Sequence, residues 1–188
     1  VAGITQYAGA GKSLVVTLSP LTGMPMDSNV GGYFGPYLKF SGFDALELQG
    51  KADKDVIIFI DGNKGMVQIM ESDIEEKDSH ILSEILTERF AENEEDKRNV
   101  SVVSTGSAAE HTLIGLLNFS FYDVRRKGTR LKQAGRGGIG TVFRDKKIKA
   151  VAVKFQGTKG NLNNPADQSK LNRTGIKFHK EMCFLDEK

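Results

Sequence analysis

Two stretches of this 188-residue sequence combine lightly shielded backbone with positive side chains. The first runs Ser19-Pro20-Leu21-Thr22-Gly23 and then Ser28-Asn29-Val30-Gly31-Gly32-Tyr33-Phe34-Gly35-Pro36-Tyr37-Leu38-Lys39-Phe40-Ser41-Gly42-Phe43-Asp44. The second runs Ala134-Gly135-Arg136-Gly137-Gly138-Ile139-Gly140 and leads through Lys146, Lys147 and Lys149 into Ala150-Val151-Ala152-Val153. Glycine leaves its amide open to close approach. Lys or Arg beside it supplies charge that suits phosphate oxygens. One such loop in each half of the chain could cradle a ligand with two anionic groups. Tight turns between strands would use the same glycines, and the residues alone leave both readings open.

Three better-known chemistries fit less well. Gly9-Ala10-Gly11-Lys12-Ser13 imitates a nucleotide-binding P-loop, but Gln6 stands where the motif needs its first glycine. The next residues, Leu14-Val15-Val16-Thr17, read as a strand and not as the helix that should face the phosphates. Gly135-Arg136-Gly137-Gly138-Ile139-Gly140 matches the dinucleotide fingerprint G-x-G-x-x-G. Yet a polar, basic stretch precedes it, the residues after it are expected to run into a strand, and Phe155 occupies the place of the ribose-binding acid. The basic segment Arg125–Gly140 could serve a non-catalytic phosphate- or nucleic-acid-binding module. Only Tyr122 and Phe143 flank it as stacking partners.

His80, His111 and His179 are far apart in sequence and have no metal-ligand spacing. The single cysteine, Cys183, can form neither an internal disulfide nor an iron–sulfur site by itself, and it suits a reducing, cytoplasmic compartment. The net charge of +2 hides an asymmetry. Glu71–Arg98 holds 11 acidic and 4 basic residues, whereas Phe121–Ala150 holds 10 basic and 2 acidic. The acidic part reads as a solvated helix face, the basic part as an anion site. No apolar run approaches the roughly 18–20 residues that cross a bilayer.

The elements that must position these loops are short. Strands are expected at Ser13–Ser19, Ala45–Gly50, Val56–Asp61, Met66–Glu71, Val100–Thr105, Leu113–Phe121 and Ile148–Phe155. Gly62-Asn63-Lys64-Gly65 reads as a hairpin turn. Ile81, Leu82, Ile85, Leu86 and Phe90 share one face of a helix over Ser79–Asn93, capped by Asp78 or Ser79. Shorter helices are expected at Pro36–Phe40 and from Asn164-Pro165 to near Gly175, after a polar linker at Gln156–Asn164. Strands and helices mix without β-α-β alternation, which predicts an α+β fold with two β-rich halves.

Four motifs in order, S-P-L-T-G, then N-V-G-G-Y-F-G-x-x-L-K-F-x-G-F-D, then Gly50-Lys51-Ala52, then A-G-R-G-G-x-G-x-V with its K-x-x-K-A-V-A-V strand, resemble the N-terminal domain of the aldehyde:ferredoxin oxidoreductase family. The resemblance extends from about Gly11 to Lys154. It implies tungsten, or molybdenum, held by the dithiolenes of two pterins, with a magnesium ion bridging the pterin phosphates. It also implies oxidation of aldehydes to carboxylates, with electrons leaving through an iron–sulfur cluster to ferredoxin or another carrier.

By the same resemblance, Asn29 and Gln133 hold the magnesium through backbone carbonyls. Gly31 brings its N–H to a phosphate, and Gly32, Gly135 and Gly137 continue the exposed backbone. Lys12 stands where arginine is common, Lys132 where a basic residue is usual, and Arg136 matches the arginine of the glycine loop. Lys12 keeps the charge but lacks the two-pronged donor. Phe119–Leu131 is longer and more basic than the family pattern. The resemblance further implies that residues 1–156 form the cofactor domain without its start, and that residues 157–188 are a linker and the first helix of the next domain. The cluster cysteines would lie in C-terminal domains outside this sequence, so this segment alone is expected to be inactive and to hold no assignable catalytic acid or base.

Overall fold

The computed structural model describes residues 11–157 and 166–184. Its centre is set by three strands with almost no charge, β3 (Val56–Asp61), β5 (Val100–Ser104) and β8 (Ile148–Lys154). A strand covered on both faces must be apolar at successive positions, and Val151, Ala152 and Val153 are all at most 1% exposed. With β4 (Met66–Glu71), β6 (Leu117–Asp123) and β7 (Gly128–Ala134) they form one six-stranded sheet in the order β4-β3-β8-β5-β6-β7. The β3–β8 pair is parallel and the other pairs are antiparallel. A separate antiparallel hairpin joins β1 (Ser13–Leu18) to β2 (Pro25–Val30).

Each face of the sheet has its own cover. Helix α2 (Ser79–Phe90) places Leu82 and Leu86 on Ile57, Phe59, Val100 and Val102. Asp78 caps it, accepting from the backbone N–H of His80 at 2.7 Å and of Ile81 at 3.1 Å. Phe90 stacks on Phe59 with ring centroids 3.9 Å apart. On the opposite face, β2, α1 (Phe34–Phe40) and α3 (Ile139–Asp145) bury Val30, Phe34, Leu38, Ile139 and Phe143 against Ile58, Ile60, Val151 and Val153. A fourth helix, α4 (Gln168–Met182), is mostly exposed. Among the described residues no helix is long and apolar enough to cross a membrane.

The α+β expectation holds, and several element bounds change. Ala45–Gly50 is irregular and not a strand, and Leu113–Leu116 is loop, so β6 begins later than expected. Two strands had no clear β signal. β2 is Pro-Met-Asp-Ser-Asn-Val, rich in residues that strands disfavour, and is held by pairing with β1. β7 carries Arg130, Lys132 and Gln133 and is held as an edge by β6. The residues after Gly138 form α3 rather than running straight into β8, because Ile139, Val142 and Phe143 share a helical face. Asn164 and Pro165, the expected start of the last helix, lie outside the described residues, and α4 continues past Gly175.

Two ion-pair clusters tie the layers. Arg144 on α3 makes two 2.8 Å bonds to Asp55 and one of 2.5 Å to Glu110. Lys154 at the end of β8 meets Asp96 at 2.7 Å, with only 6% and 7% of the two side chains exposed. Burial raises the Asp96 carboxyl, but bonds from Lys154, Asn99 and the Glu92 N–H outweigh it and hold the group below the ordinary carboxylate range. Lys154→Met would leave that carboxylate without its cation and is expected to cost about 3–5 kcal/mol in urea denaturation. The Asp96 contribution is complete above the ordinary carboxylate pKa and fades as pH falls through the lowered one. Asp96→Asn should therefore flatten the acid limb of the stability–pH curve.

Candidate functional site

The hairpin brings Lys12 across from Gly31, because Ser13 pairs with Val30. The Lys12 Nζ lies 3.8 Å from where a Cβ on Gly31 would stand. The next residue, Gly32, has φ +104°, a conformation that L side chains rarely adopt. On its open side runs the stem of Lys132, with Cγ 3.9 Å from the corresponding Cβ position. The Gly31-Gly32 backbone is thus flanked by one lysine from before β1 and another from β7.

The second glycine loop is clasped to the first. β7 ends at the fully buried Ala134, and the Arg136 N–H then donates to the buried Ser28 hydroxyl of β2 at 3.3 Å. A Cβ on Gly137 would lie 2.8 Å from Met26 Cβ. Gly138, left-handed at φ +67°, sits where a Cβ would collide with the Leu113 carbonyl and lie 2.9 Å from Pro20. Gly140 presses in the same way on the Leu116 carbonyl. Gly138 and Gly140 are therefore packing glycines, whereas Gly135 faces open space.

The structure thus gathers Lys12, Gly31, Gly32, Lys132, Gly135 and Arg136 into one region, although over 120 residues separate the ends of this set. Asn29 and Gln133 lie on β2 and β7, two edge strands that touch each other. An edge strand leaves alternate carbonyls unused by its sheet. The Gln133 side chain turns the other way, donating to Asn118 Oδ1 at 3.3 Å. Ser28 and Met26, which seat the glycine loop, went unrecognised as contact residues because the alternation of β2 is hidden by its composition.

The electrostatics separate the site from the rest of the basic segment. Arg126 pairs with Asp123 and Arg144 with Asp55 and Glu110, while Lys146, Lys147 and Lys149 donate to the carbonyls of Gly50, Asp53 and Ile74. Half of the ten cations in Phe121–Ala150 are consumed in this way, so the segment offers no continuous basic stripe for nucleic acid. Among the described residues, Lys12, Lys132 and Arg136 form no ion pair. Unpaired cations around backbone without side chains fit a ligand with several anionic oxygens. Also among the described residues, no group of three His, Cys, Asp or Glu side chains could hold a metal ion. His80 contacts the Thr129 carbonyl and Glu84 instead.

The family model of the aldehyde ferredoxin oxidoreductase N-terminal domain matches residues 1–155. This chain belongs to the aldehyde ferredoxin oxidoreductase family. It is 40% identical over 150 residues to the tungsten-containing aldehyde ferredoxin oxidoreductase of Pyrococcus horikoshii, a match covering 80% of the chain and 22% of the relative. The enzyme of the same name from Pyrococcus furiosus is 39% identical over 152 residues, covering 79% and 22%. Among solved structures, the BamBC active-site complex of benzoyl coenzyme A reductase with 1,5-dienoyl-CoA superposes with a TM-score of 0.65 at 28% identity, covering 82% of this chain and 21% of that one. The chain spans about a fifth of the length of the curated relatives it matches. The six-stranded sheet, its hairpin and the glycine clasp are this chain's form of the aldehyde ferredoxin oxidoreductase N-terminal domain.

The division of the glycines has a measurable consequence. Gly138→Ala and Gly140→Ala are each expected to cost at least about 2 kcal/mol in thermal or urea unfolding, since backbone must move to admit the methyl. Gly135→Ala is expected to stay within about 0.5 kcal/mol of the parent.

Proposed function

We propose that this chain is the cofactor-binding part of an enzyme that oxidises aldehydes to carboxylic acids, with electrons passing through an iron–sulfur cluster to ferredoxin or another carrier. The observation that carries this reading is the cradle itself, in which Lys12 and Lys132 flank Gly31 and Gly32 without ion-pair partners, and the likewise unpaired Arg136 follows Gly135. Family membership supplies the rest, together with relatives named as tungsten-containing aldehyde ferredoxin oxidoreductases. The tungsten (or molybdenum) bis-pterin supplies the two-electron chemistry when bound.

The protein's contribution is binding and charge. Lys12, Lys132 and Arg136 neutralise the phosphates, and the Gly31, Gly32, Gly135 and Gly137 backbone lets them approach. The backbone carbonyls of Asn29 and Gln133 offer hard oxygen ligands to the magnesium ion between the phosphates. We assign residues 1–156 to this cofactor domain and residues 157–188 to a linker and the first helix of the following one. The family match ending at residue 155, one residue beyond β8, supports that boundary. The iron–sulfur cluster and the groups that select the aldehyde belong to the remainder of the parent protein, so this chain by itself turns over no substrate. The lone, exposed Cys183 suits a cytoplasmic location.

A second reading, a reductase of the same family acting on another carbonyl compound, is favoured by the structural likeness to the benzoyl coenzyme A reductase complex. The higher identity to the aldehyde enzymes, 40% against 28%, places it second.

In the full-length parent protein, Lys132→Glu and Arg136→Glu are each expected to lower bound tungsten and pterin about tenfold or more, the worth of one charge-assisted contact. Circular dichroism should remain unchanged, and Lys12→Arg should retain the metal. Full metal content and full aldehyde-dependent viologen reduction in Arg136→Glu would overturn the assignment of this cradle.

A further inference from the structure

Half of the ten cations in Phe121–Ala150 are spent within the fold, and the other half are not. Lys132 and Arg136 belong to the cradle. Arg125, Lys127 and Arg130 lie on the β6–β7 hairpin, the part of the sequence that is longer and more basic than the family pattern. Loop residues 124–127 are all exposed, with Val124 at 57%. Among the described residues Arg125, Lys127 and Arg130 have no ion-pair partner. Asp123 is the one carboxylate in residues 123–136, and Arg126 already engages it at 2.8 Å.

The hairpin is ordered from tip to root. Asp123 closes the turn by accepting from the backbone N–H of Arg125 at 3.0 Å and of Arg126 at 3.2 Å, and Lys127 takes a left-handed φ of +49°. The Arg126 guanidinium holds the Asp123 carboxyl below the ordinary carboxylate range, so the closing acid stays charged at neutral pH. At the root, the Tyr122 hydroxyl donates to Glu94, which also meets Lys97 at 2.8 Å and fastens β6 to the turn Glu95–Asn99. A tip fixed in this way loses little conformational freedom when a partner docks. Five residues of β7, at roughly 3.4 Å each, put Gly128 about 17 Å from Gln133, so a partner at the tip leaves the cradle free.

The chemistry of the tip selects the kind of partner. Residues 123–136 contain no aromatic side chain, and the Tyr122 ring at the root is buried. Single-stranded nucleic acid therefore finds no stacking platform. A lipid surface finds only Val124 to take up, with none of the aromatic or repeated apolar residues that enter its interface. A rigid cationic projection suits the acidic surface of another protein. Transient redox partners meet over small areas, and complementary charge steers them together.

We infer that the β6–β7 hairpin is a docking arm for an acidic electron-carrier protein, whose carboxylates meet Arg125, Lys127 and Arg130. The inference rests on the oxidoreductase reading above for the identity of the partner, and on the hairpin alone for the surface.

The test uses the full-length parent protein, with an acidic [4Fe–4S] ferredoxin as the probe. Ferredoxin binding is followed by biolayer interferometry from low salt to about 1 M, where charges are screened within roughly 3 Å. Aldehyde-dependent reduction is followed with benzyl viologen, a small dye that needs no protein dock. The double variant Arg125→Glu/Lys127→Glu is expected to bind ferredoxin about tenfold more weakly at low salt, with the difference closing at high salt. Its viologen reduction should match the parent's, and Arg125→Lys/Lys127→Arg should keep ferredoxin binding. Ferredoxin binding that is absent from the parent, or equal in parent and charge-reversed variant, overturns the arm and leaves the oxidoreductase reading standing. Loss of viologen reduction in the variant also overturns it, by making the tip a structural support. Duplex DNA or phosphatidylglycerol vesicles held more tightly than ferredoxin at the same salt, and released by the same variant, would give the arm to another partner and overturn the carrier. A parent protein that reduces no viologen with aldehydes removes the oxidoreductase reading, and the carrier with it.

Discussion

Gly138 rests its backbone directly against the Leu113 carbonyl and Pro20, at a distance no other residue type allows. That contact joins three separate parts of the chain: the turn of the first hairpin, the irregular run before β6 and the loop after β7. Ser28 and Met26 lie in the same seam, one accepting from the Arg136 amide and the other beneath Gly137. The backbone of the second glycine segment thus packs directly on Ser28, Met26 and Pro20, with no side chain of its own between them. The free cations can then stay free, because the cradle does not need their ion pairs to hold its shape.

The surrounding charges follow the same division of labour. Arg144 is clamped by Asp55 and Glu110, and Lys154 by Asp96 and Glu92, so the cations on α3 and β8 brace the layers. Those at the cradle have no such partners.

Much of this was legible in the residues. β3, β5 and β8 are short β-branched runs, and the hairpin turn and the Asp78 cap have local signals that no tertiary contact is needed to decode. The glycine segments and their cations stood out by type. What stayed hidden depends on partners distant in sequence. β2 is a strand only because β1 pairs with it, β7 only because β6 does, and α3, at seven residues, shows fewer than two turns of its period. Ala45–Gly50 alternates as a strand would, but no neighbour is there to pair with it. With no strand expected at β2, the inward direction of the Ser28 side chain stayed hidden, since it is visible only once the strand's alternation is known. The packing role of Gly138 and Gly140 was equally hidden, because nothing in a sequence distinguishes a glycine that a ligand approaches from one that a carbonyl approaches.

The last strand of the sheet in sequence, β8, lies between β3 and β5 near its middle. On a growing chain, β3 must wait through nearly ninety residues before its parallel neighbour exists. Pairings of such sequence separation form slowly, since the intervening chain must be ordered before any contact rewards it. Until β8 inserts, the apolar sides of β3 and β5 remain uncovered, and α3, which leads into β8, cannot fix the glycine loop. The cradle is therefore among the last features to mature, and a ribosome halted before Ile148 would hold a chain with both of its glycine segments made and not yet joined.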